Sequence, residues 1–203
     1  MNILIATGNT GKLQEYQRLF AVLDAELLSL SDVDLGDHEL EETGDSFAEN
    51  AALKANTIAR LSNHCTVADD SGLTVDALDG APGIYSARYG GEQLDSAGRR
   101  AKLLTALEGI AGADRRACFV CVVAIADPLF GETILIRGEC PGRIASRDHD
   151  DGCGFGYDAV FIPDGYHLTF AQMRPELKDG LSHRARAAQK ALPVLQEICS
   201  RSP

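Results

Sequence analysis

The chain opens with Ile3-Leu4-Ile5-Ala6, which runs directly into Thr7-Gly8-Asn9-Thr10-Gly11-Lys12. Apolar residues at helical spacing follow, from Leu13 to Leu23. This order predicts a buried strand, a polar turn and an amphipathic helix. Such a turn can direct backbone N–H groups and the positive end of the helix dipole at a phosphate, with Lys12 as an added cation. The turn fits neither the Walker A pattern nor GxGxxG, and an ordinary strand–helix loop explains it equally well.

Composition narrows the class of protein. The 203 residues are 45% hydrophobic and 24% charged, which predicts one globular domain over 1–203. The formal net charge of −11 argues against a broad nucleic-acid surface, although a small polyanion can bind where cations cluster or a divalent metal bridges the acids. No apolar run is long enough to span a membrane and no signal-peptide pattern occurs, so we expect a cytoplasmic protein.

The six cysteines are expected to be thiols in that compartment. Cys118 and Cys121 form a single CxxC inside an apolar run that predicts a buried strand. Residues three apart on a strand point to opposite faces, so this pair does not favour a zinc or redox site.

Helical and strand patterns alternate along the chain, which predicts an α/β domain with a mixed sheet. A capping box from Ser46 to Glu49 marks one helix start, and Pro193 predicts a kink or an early end in the last helix. The polar stretches 37–49, 69–91, 148–158 and 174–184 are predicted to be loops that carry function. We expect strands at 2–6, 26–30, 65–68, 117–126, 132–139 and 159–162, and helices at 11–23, 46–62, 93–108 and 182–199.

Acidic pairs supply the candidate metal ligands. Asp69 and Asp70 follow the predicted strand at 65–68, and alternation along an extended chain would point their side chains to opposite sides. Carboxylates at a strand end suit Mg²⁺, but a solvated Asp-Asp turn is the simpler explanation of this segment alone. The pair Glu41-Glu42 has the same two explanations.

Lys54 lies four residues after Asn50 on one predicted helical face. A cation near phosphate and carboxylates near a metal together suit phosphoryl chemistry, although most lysines lie on the surface.

Two further segments carry candidate binding groups. Gly154-Phe155-Gly156-Tyr157-Asp158 predicts a glycine-flanked aromatic that either stacks on a base or plugs the core. Ser182-His183-Arg184 lies at a predicted helix start, where its donors suit carbonyl or phosphate oxygens; a simple Ser182 cap is the alternative. The absence of GxSxG argues against a serine–histidine–acid triad.

In this order, the segments resemble the Ham1-like family of inosine triphosphate pyrophosphatases, also called dITP/XTP pyrophosphatases. They span nearly the whole chain, and no motif position departs from the family pattern. The stretch 140–152 matches no family feature. The matching segments are 7–12, 41–44, 47–51, Lys54, 68–73, 80–89, 154–158 and 181–184.

The resemblance implies an enzyme that hydrolyses ITP, dITP and XTP to the nucleoside monophosphate and pyrophosphate with Mg²⁺. It implies a long mixed sheet flanked by helices, two lobes enclosing a central active-site cleft, and a homodimer. It places magnesium on Glu42 and Asp70, makes Asp70 the base that activates water, and puts Ser71 beside them. Triphosphate binding falls to Thr7, Gly8, Asn9, Thr10, Gly11, Lys12 and Lys54. Phe155 would stack on the purine, Gly156, Tyr157 and Asp158 would line its pocket, and Lys178, His183 and Arg184 would contact the base.

Base selection would follow from hydrogen bonding. Hypoxanthine and xanthine present a 6-oxo acceptor, whereas donors at 183–184 that face the 6-amino group of adenine would stay unpaired, a loss of about 1–3 kcal/mol. Rejection of GTP needs a second feature that the sequence does not identify. Two alternatives stay open: a Maf-like pyrophosphatase with another base preference, and a nucleotide-binding protein without turnover.

Overall fold

Strand β1 (Asn2–Ile5) lies between two strands that pair with it in parallel, β2 (Glu26–Ser29) and β3 (Cys65–Val75). Ile3 is in register with Leu27 on one side and with Cys65 on the other. The structure is a computed structural model, and it describes residues 1–38, 42–128, 131–150, 152 and 154–201.

Within the described residues, three more strands complete one six-stranded sheet: β4 (Arg116–Ala126), β5 (Ile134–Ile144) and β6 (Phe161–Pro163). The strand order is β2-β1-β3-β4-β5-β6. Because β5 and β6 pair antiparallel while β1 pairs parallel with both neighbours, the sheet is mixed. The predicted α/β class with a mixed sheet is confirmed.

The described α-helices are α1 (Thr10–Leu19), α2 (Phe47–Ser62), α3 (Ser96–Ala106), α4 (Pro175–Leu181) and α5 (His183–Arg201). Asn9, Ser46 and Asp95 cap the first three, since each side chain accepts a backbone N–H three residues further on. Helix α5 continues through Pro193 to Arg201, so the early end predicted there is wrong.

Two predicted strands are too short. β3 continues through Asp69-Asp70-Ser71-Gly72, which the sequence places after the strand. These residues have low strand propensity, but burial with cationic partners holds the two carboxylates in the sheet. β5 passes through Pro141 and Gly142, where the oxygen of Ile162 would lie 2.3 Å from any added Cβ, so only glycine fits against β6.

Helix α4 lies inside a stretch predicted to be a loop, 174–184. Its start is the favourable position for Pro175, whose missing N–H costs nothing in the first turn. The polar residues and glycine after it, Glu176, Lys178, Asp179 and Gly180, hide the helical period of its seven residues.

The chain divides into two compact units. The first comprises Met1–Asp70, Cys121–Gly138 and Arg184–Pro203, and the second comprises Ser71–Val120 and Glu139–His183. The first has a core that includes Ile3, Ile5, Tyr16, Phe20, Val67, Val123, Ala187 and Leu195. The second has a core that includes Leu73, Leu103, Phe119, Ile144, Tyr157, Val160, Phe161 and Phe170. The assignment of one domain to 1–203 stays a prediction.

The expectations about the cysteines and about membrane spans can be compared with the described residues. None of the five described cysteines forms a disulfide bond, and Cys153 lies outside the described residues. Among the helices that the structure describes, none combines the length and apolar character needed to cross a membrane.

Candidate active site

The centre of β3 carries two adjacent buried carboxylates, Asp69 and Asp70. Asp69 contacts Lys12 of α1 and Arg184 of α5, whereas Asp70 contacts residues of α2. Successive side chains of a strand point to opposite faces, which accounts for the two sets of partners. The two acids therefore have separate surroundings.

Asp70 faces a cation and an amide on α2. Lys54 Nζ lies 2.6 Å from Glu42 Oε1 and 3.8 Å from Asp70 Oδ1. The Lys54 side chain is 5% exposed, so the alternative of an ordinary surface lysine is excluded. Asn50 Nδ2 donates to Asp70 Oδ2 over 3.0 Å. Asn50 and Lys54 thus share one helical face, as their spacing predicts.

The pKa of Asp70 is raised above its ordinary value of 3.8. Burial is the main cause and the nearby Glu42 carboxylate adds to it, while Lys54 and the Asn50 amide act in the opposite direction. A carboxylate in this state binds a proton more readily than an exposed aspartate does.

The segment that carries Glu42 is fixed to the start of α2. Gly44 N–H donates to Asn50 Oδ1 over 2.8 Å, and a Cβ on Gly44 would lie 2.6 Å from Glu49 Cβ. Asn50 therefore anchors this segment with one end of its amide and Asp70 with the other. Glu41, also singled out by the sequence, lies outside the described residues.

The predicted phosphate turn is shorter than its motif, because α1 begins at Thr10 within it. Asn9 Oδ1 accepts the N–H of Lys12 over 3.0 Å, and Asn9 N–H donates to Thr7 Oγ1 over 3.2 Å. Gly8, Asn9 and Thr10 are exposed. Lys12 lies in the first turn of α1, and its Nζ is 3.2 Å from Asp69 Oδ1. The exposed N-terminus of α1 therefore carries a cation in its own first turn.

Arg184 lies in a buried ion-pair network of the first unit. Its Nη1 donates to Glu15 Oε2 over 2.5 Å, and its Nη2 donates to Asp69 Oδ2 over 3.1 Å. Burial alone would raise the pKa of Asp69, but Lys12 and Arg184 hold that pKa well below its ordinary value. The structure thus gives this guanidinium carboxylate partners, and a direct contact from Arg184 to a base stays a prediction.

The glycine-flanked aromatic loop belongs to the second unit. Asp158 is buried and its Oδ2 accepts both Lys178 Nζ over 2.7 Å and Phe155 N–H over 2.9 Å. The Phe155 ring is half-buried, with Lys178 Nζ 4.9 Å from its centroid. Gly154 has φ +78°, and an added Cβ would lie 2.6 Å from Asp158 Oδ2. The loop therefore presents one aromatic face beside a buried cation.

The other residues predicted to contact the base lie in different surroundings. Tyr157 is buried in the core of the second unit and donates to the carbonyl oxygen of Ser86 over 3.0 Å, so its ring packs as a core residue. Gly156 is half-buried with φ +60°. His183 is the first residue of α5, and its ring stacks on Phe119 with centroids 4.5 Å apart.

The residues at Lys54 fit a magnesium ion. No group of three or more His, Cys, Asp or Glu side chains with metal-binding geometry occurs in the residues described. Mg²⁺, however, is usually held by one or two carboxylates together with substrate phosphates and water. Glu42 and Asp70 come from separate segments and contact the same ammonium group, so the space between them already favours a cation.

Comparison with known proteins identifies the family. The model of the Ham1 family matches residues 3–194. The chain belongs to the Ham1 family. A dITP/XTP pyrophosphatase of Oceanobacillus iheyensis is 46% identical over 196 residues, which cover 97% of this chain and 98% of the relative. A dITP/XTP pyrophosphatase of Listeria innocua is 46% identical over 197 residues, covering 97% and 95%.

Solved structures agree with this placement. A HAM1 protein from Coxiella burnetii superposes with a TM-score of 0.86 at 36% identity, covering 97% of this chain and 99% of that one. The Ham1 protein of Staphylococcus aureus gives a TM-score of 0.85 at 39% identity, covering 98% and 100%.

The Ham1 motifs form two groups of contacts, one in each unit. In the first unit, Glu42 and Asp70 both contact Lys54, and Asp69, next to Asp70 on β3, pairs with Lys12. In the second unit, Phe155, Asp158 and Lys178 contact one another, and Ser71 lies half-buried on β3.

Sequence reasoning about the Ham1 motifs missed Glu15. This acid follows Lys12 by three residues and directly precedes Tyr16, one of the apolar positions of α1. An acid next to the apolar face of a helix signals a buried ionic partner, which is Arg184.

Proposed function

We propose that this chain hydrolyses the triphosphates of deaminated purine nucleosides, ITP, dITP and XTP, to the nucleoside monophosphate and pyrophosphate. The observation that carries the proposal is the meeting of Glu42 and Asp70 at the buried Lys54 ammonium. Relatives that bear the name dITP/XTP pyrophosphatase support the same class of substrate.

Asp70 is the group that would accept a proton from the attacking water. Burial raises the pKa of this carboxyl in the metal-free protein, and the Asn50 amide fixes one of its oxygens. Attack on the α-phosphorus needs a positioned water and neutralised charge rather than a covalent nucleophile. A buried, oriented carboxylate meets the first of these needs.

Charge neutralisation would come from three sources. Lys54 and Lys12 supply fixed positive charge, and the N-terminus of α1 supplies backbone N–H groups at Thr10 and Gly11. Glu42 and Asp70 would hold Mg²⁺, which supplies Lewis-acid stabilisation of the phosphate oxygens when it is bound.

Base recognition would fall to the second unit. The half-buried Phe155 ring would stack on the purine, and Lys178, oriented by Asp158, would donate to the 6-oxo group. Adenine presents an amino donor at that position, so two donors would meet and one would lose its partner. The cost is about 1–3 kcal/mol, or about one to two decades in kcat/KM. His183 would contact the same base from the start of α5.

A nucleotide panel with product identification tests the proposal. Purified protein with Mg²⁺ should release pyrophosphate from ITP, dITP and XTP, with ATP and GTP much poorer, and chelation of the metal should abolish release. Release of orthophosphate would make the protein a phosphatase. A preference for pyrimidine nucleotides would favour the Maf-like alternative, and tight binding without any product would favour a sensor.

We further propose that the enzyme acts as a homodimer in the cytoplasm, as the family resemblance implies. Light scattering coupled to size-exclusion chromatography should give twice the chain mass of 21.7 kDa. A species of one chain mass at working concentrations would contradict the dimer.

A further inference from the structure

Arg100 is a buried cation that has no part in the residues assigned to phosphate, metal or base. It lies on α3 within the second unit, and its side chain is 6% exposed. Arginine is rarely buried to this extent without dedicated partners. Its partners therefore indicate its task.

Each of the three guanidinium nitrogens donates to the segment before or within the aromatic loop. Nε donates to Asp148 Oδ2 over 2.7 Å, and Nη2 donates to Asp150 Oδ2 over 2.5 Å. Nη1 donates to the carbonyl oxygen of Gly156 over 3.1 Å. Asp150 also accepts Gly152 N–H through its other oxygen over 3.0 Å. A planar fork of donors thus joins two acids that precede the loop to a backbone carbonyl beside Phe155.

The same loop is fixed from a second direction. Phe155 N–H donates to Asp158 Oδ2, the oxygen that also accepts Lys178 Nζ. The backbone is therefore restrained at the N–H of Phe155 by Asp158 and at the carbonyl of Gly156 by Arg100. The two anchors lie on either side of the Phe155 Cα, which carries the ring.

We propose that Arg100 is a positioning residue that holds the Phe155 ring ready to stack on the purine base. The inference rests on the proposed function, in which Phe155 carries the base. A ring that is ordered before binding loses less conformational freedom when the nucleotide arrives. Removal of Arg100 therefore weakens nucleotide binding and leaves the reacting phosphate groups untouched.

The kinetic test compares Arg100→Met with the wild-type enzyme on ITP. We expect KM to rise about 3- to 10-fold, the range that corresponds to ordering one side chain, with kcat within about twofold of wild type. Arg116→Met is the matched control, since this arginine of the same unit is 62% exposed and pairs with Asp164 at 3.9 Å. Its KM should not change.

A second readout follows the loop itself. Amide hydrogen exchange at Gly152, Phe155 and Gly156, measured by NMR, should be faster in Arg100→Met than in the wild type and in Arg116→Met. The double variant Asp148→Asn/Asp150→Asn weakens the hold on Arg100. Both changed side chains are partly exposed, so we expect this variant to fold. It should shift KM and exchange in the same direction by a smaller factor.

The results of these measurements distinguish the positioning role of Arg100 from the proposed function. Unchanged exchange in Arg100→Met, or a fall in kcat at constant KM, overturns the positioning role. If the wild type hydrolyses none of the purine triphosphates, the proposed function fails, while faster exchange in the variant still supports the restraint by Arg100. Unchanged exchange in that case rejects it.

Discussion

Asn50 and Asp70 are joined by one hydrogen bond in which the amide Nδ2 donates to the carboxylate Oδ2 over 3.0 Å. The other end of the amide accepts Gly44 N–H, so its orientation is fixed. We predict that Asn50→Leu lowers kcat/KM about 10- to 100-fold, the usual effect of removing the hydrogen-bond partner of a carboxylate that holds a metal, as we propose for Asp70. It should also lower the free energy of unfolding by about 1–3 kcal/mol.

Asn50→Asp separates the two bonds of that amide. It keeps an acceptor for Gly44 but faces Asp70 with a second carboxylate, so its activity should be no better than that of Asn50→Leu. Asn56→Leu on the same helix is the control in pyrophosphate-release assays and urea unfolding. Wild-type activity in Asn50→Leu would show that Asp70 needs no orientation from α2.

The raised pKa of Asp70 predicts a conflict between activity and stability. A carboxyl group whose folded pKa is raised favours the folded state below its ordinary pKa of 3.8, and this contribution is lost as pH rises through the folded pKa. The ionised group is therefore a cost at neutral pH. Asp70→Asn should lower kcat about 10²- to 10⁴-fold and raise the Tm of the metal-free protein at pH 7.5.

Calorimetry in EDTA measures the Tm, and pyrophosphate release measures kcat. The exposed Asp76→Asn is the matched control for both. Retained hydrolysis in Asp70→Asn would remove Asp70 from the role of base, and a lower Tm would show that its charge stabilises the fold.

The buried network of Arg184 is predicted to be a stability element. Arg184→Met leaves the Glu15 and Asp69 carboxylates without their guanidinium, at a cost of about 3–5 kcal/mol in the free energy of unfolding. Arg186→Met, at an exposed position of the same helix, should cost less than about 0.5 kcal/mol. Urea denaturation at pH 7 measures both.

The difference in the free energy of unfolding between wild type and Arg184→Met depends on pH through Asp69. Its pKa is well below the ordinary value in the folded protein, so its contribution is present above pH 3.8 and is lost as pH falls toward the folded pKa. The gap between wild type and Arg184→Met should therefore be full at neutral pH and narrow in acid. A gap that widens in acid would contradict the ionised state of Asp69.

Lys178 is predicted to set base preference. Lys178→Met removes the donor for a 6-oxo group, so the ratio of kcat/KM for ITP to that for ATP should fall about 10- to 100-fold. Lys190→Met, which removes a donor to the carbonyl of Arg137, should leave this ratio unchanged. Steady-state kinetics on both nucleotides measure it, and an unchanged ratio in Lys178→Met would move base recognition elsewhere.

Much of the fold could be predicted where local pattern and burial agree. The apolar run of β4 and the Ser46 cap of α2 mark the same elements in sequence and in structure. The pattern failed where partners distant in sequence decide the backbone. β3 extends through Asp69 and Asp70 because α1, α2 and α5 supply cations and an amide to these acids, which strand propensity alone does not register.

The candidate site followed the same rule. Lys54 and Asn50 could be paired from their helical spacing, since that relation is local. The contacts of Arg184 with Glu15 and of Arg100 with Asp148 join residues 169 and 48 positions apart. Such pairs depend on how distant elements pack, and no short motif encodes them.

The adjacency of Asp69 and Asp70 makes the part of β3 that precedes them intolerant of a one-residue change in length. An insertion or deletion of one residue between Cys65 and Asp69 would rotate the pleat by one step and exchange the surroundings of the two acids. Asp70, the proposed proton acceptor, would then face Lys12 and Arg184, and Asp69 would face α2. We therefore expect a chain with one residue inserted or deleted between Cys65 and Asp69 to lose the contacts of both acids.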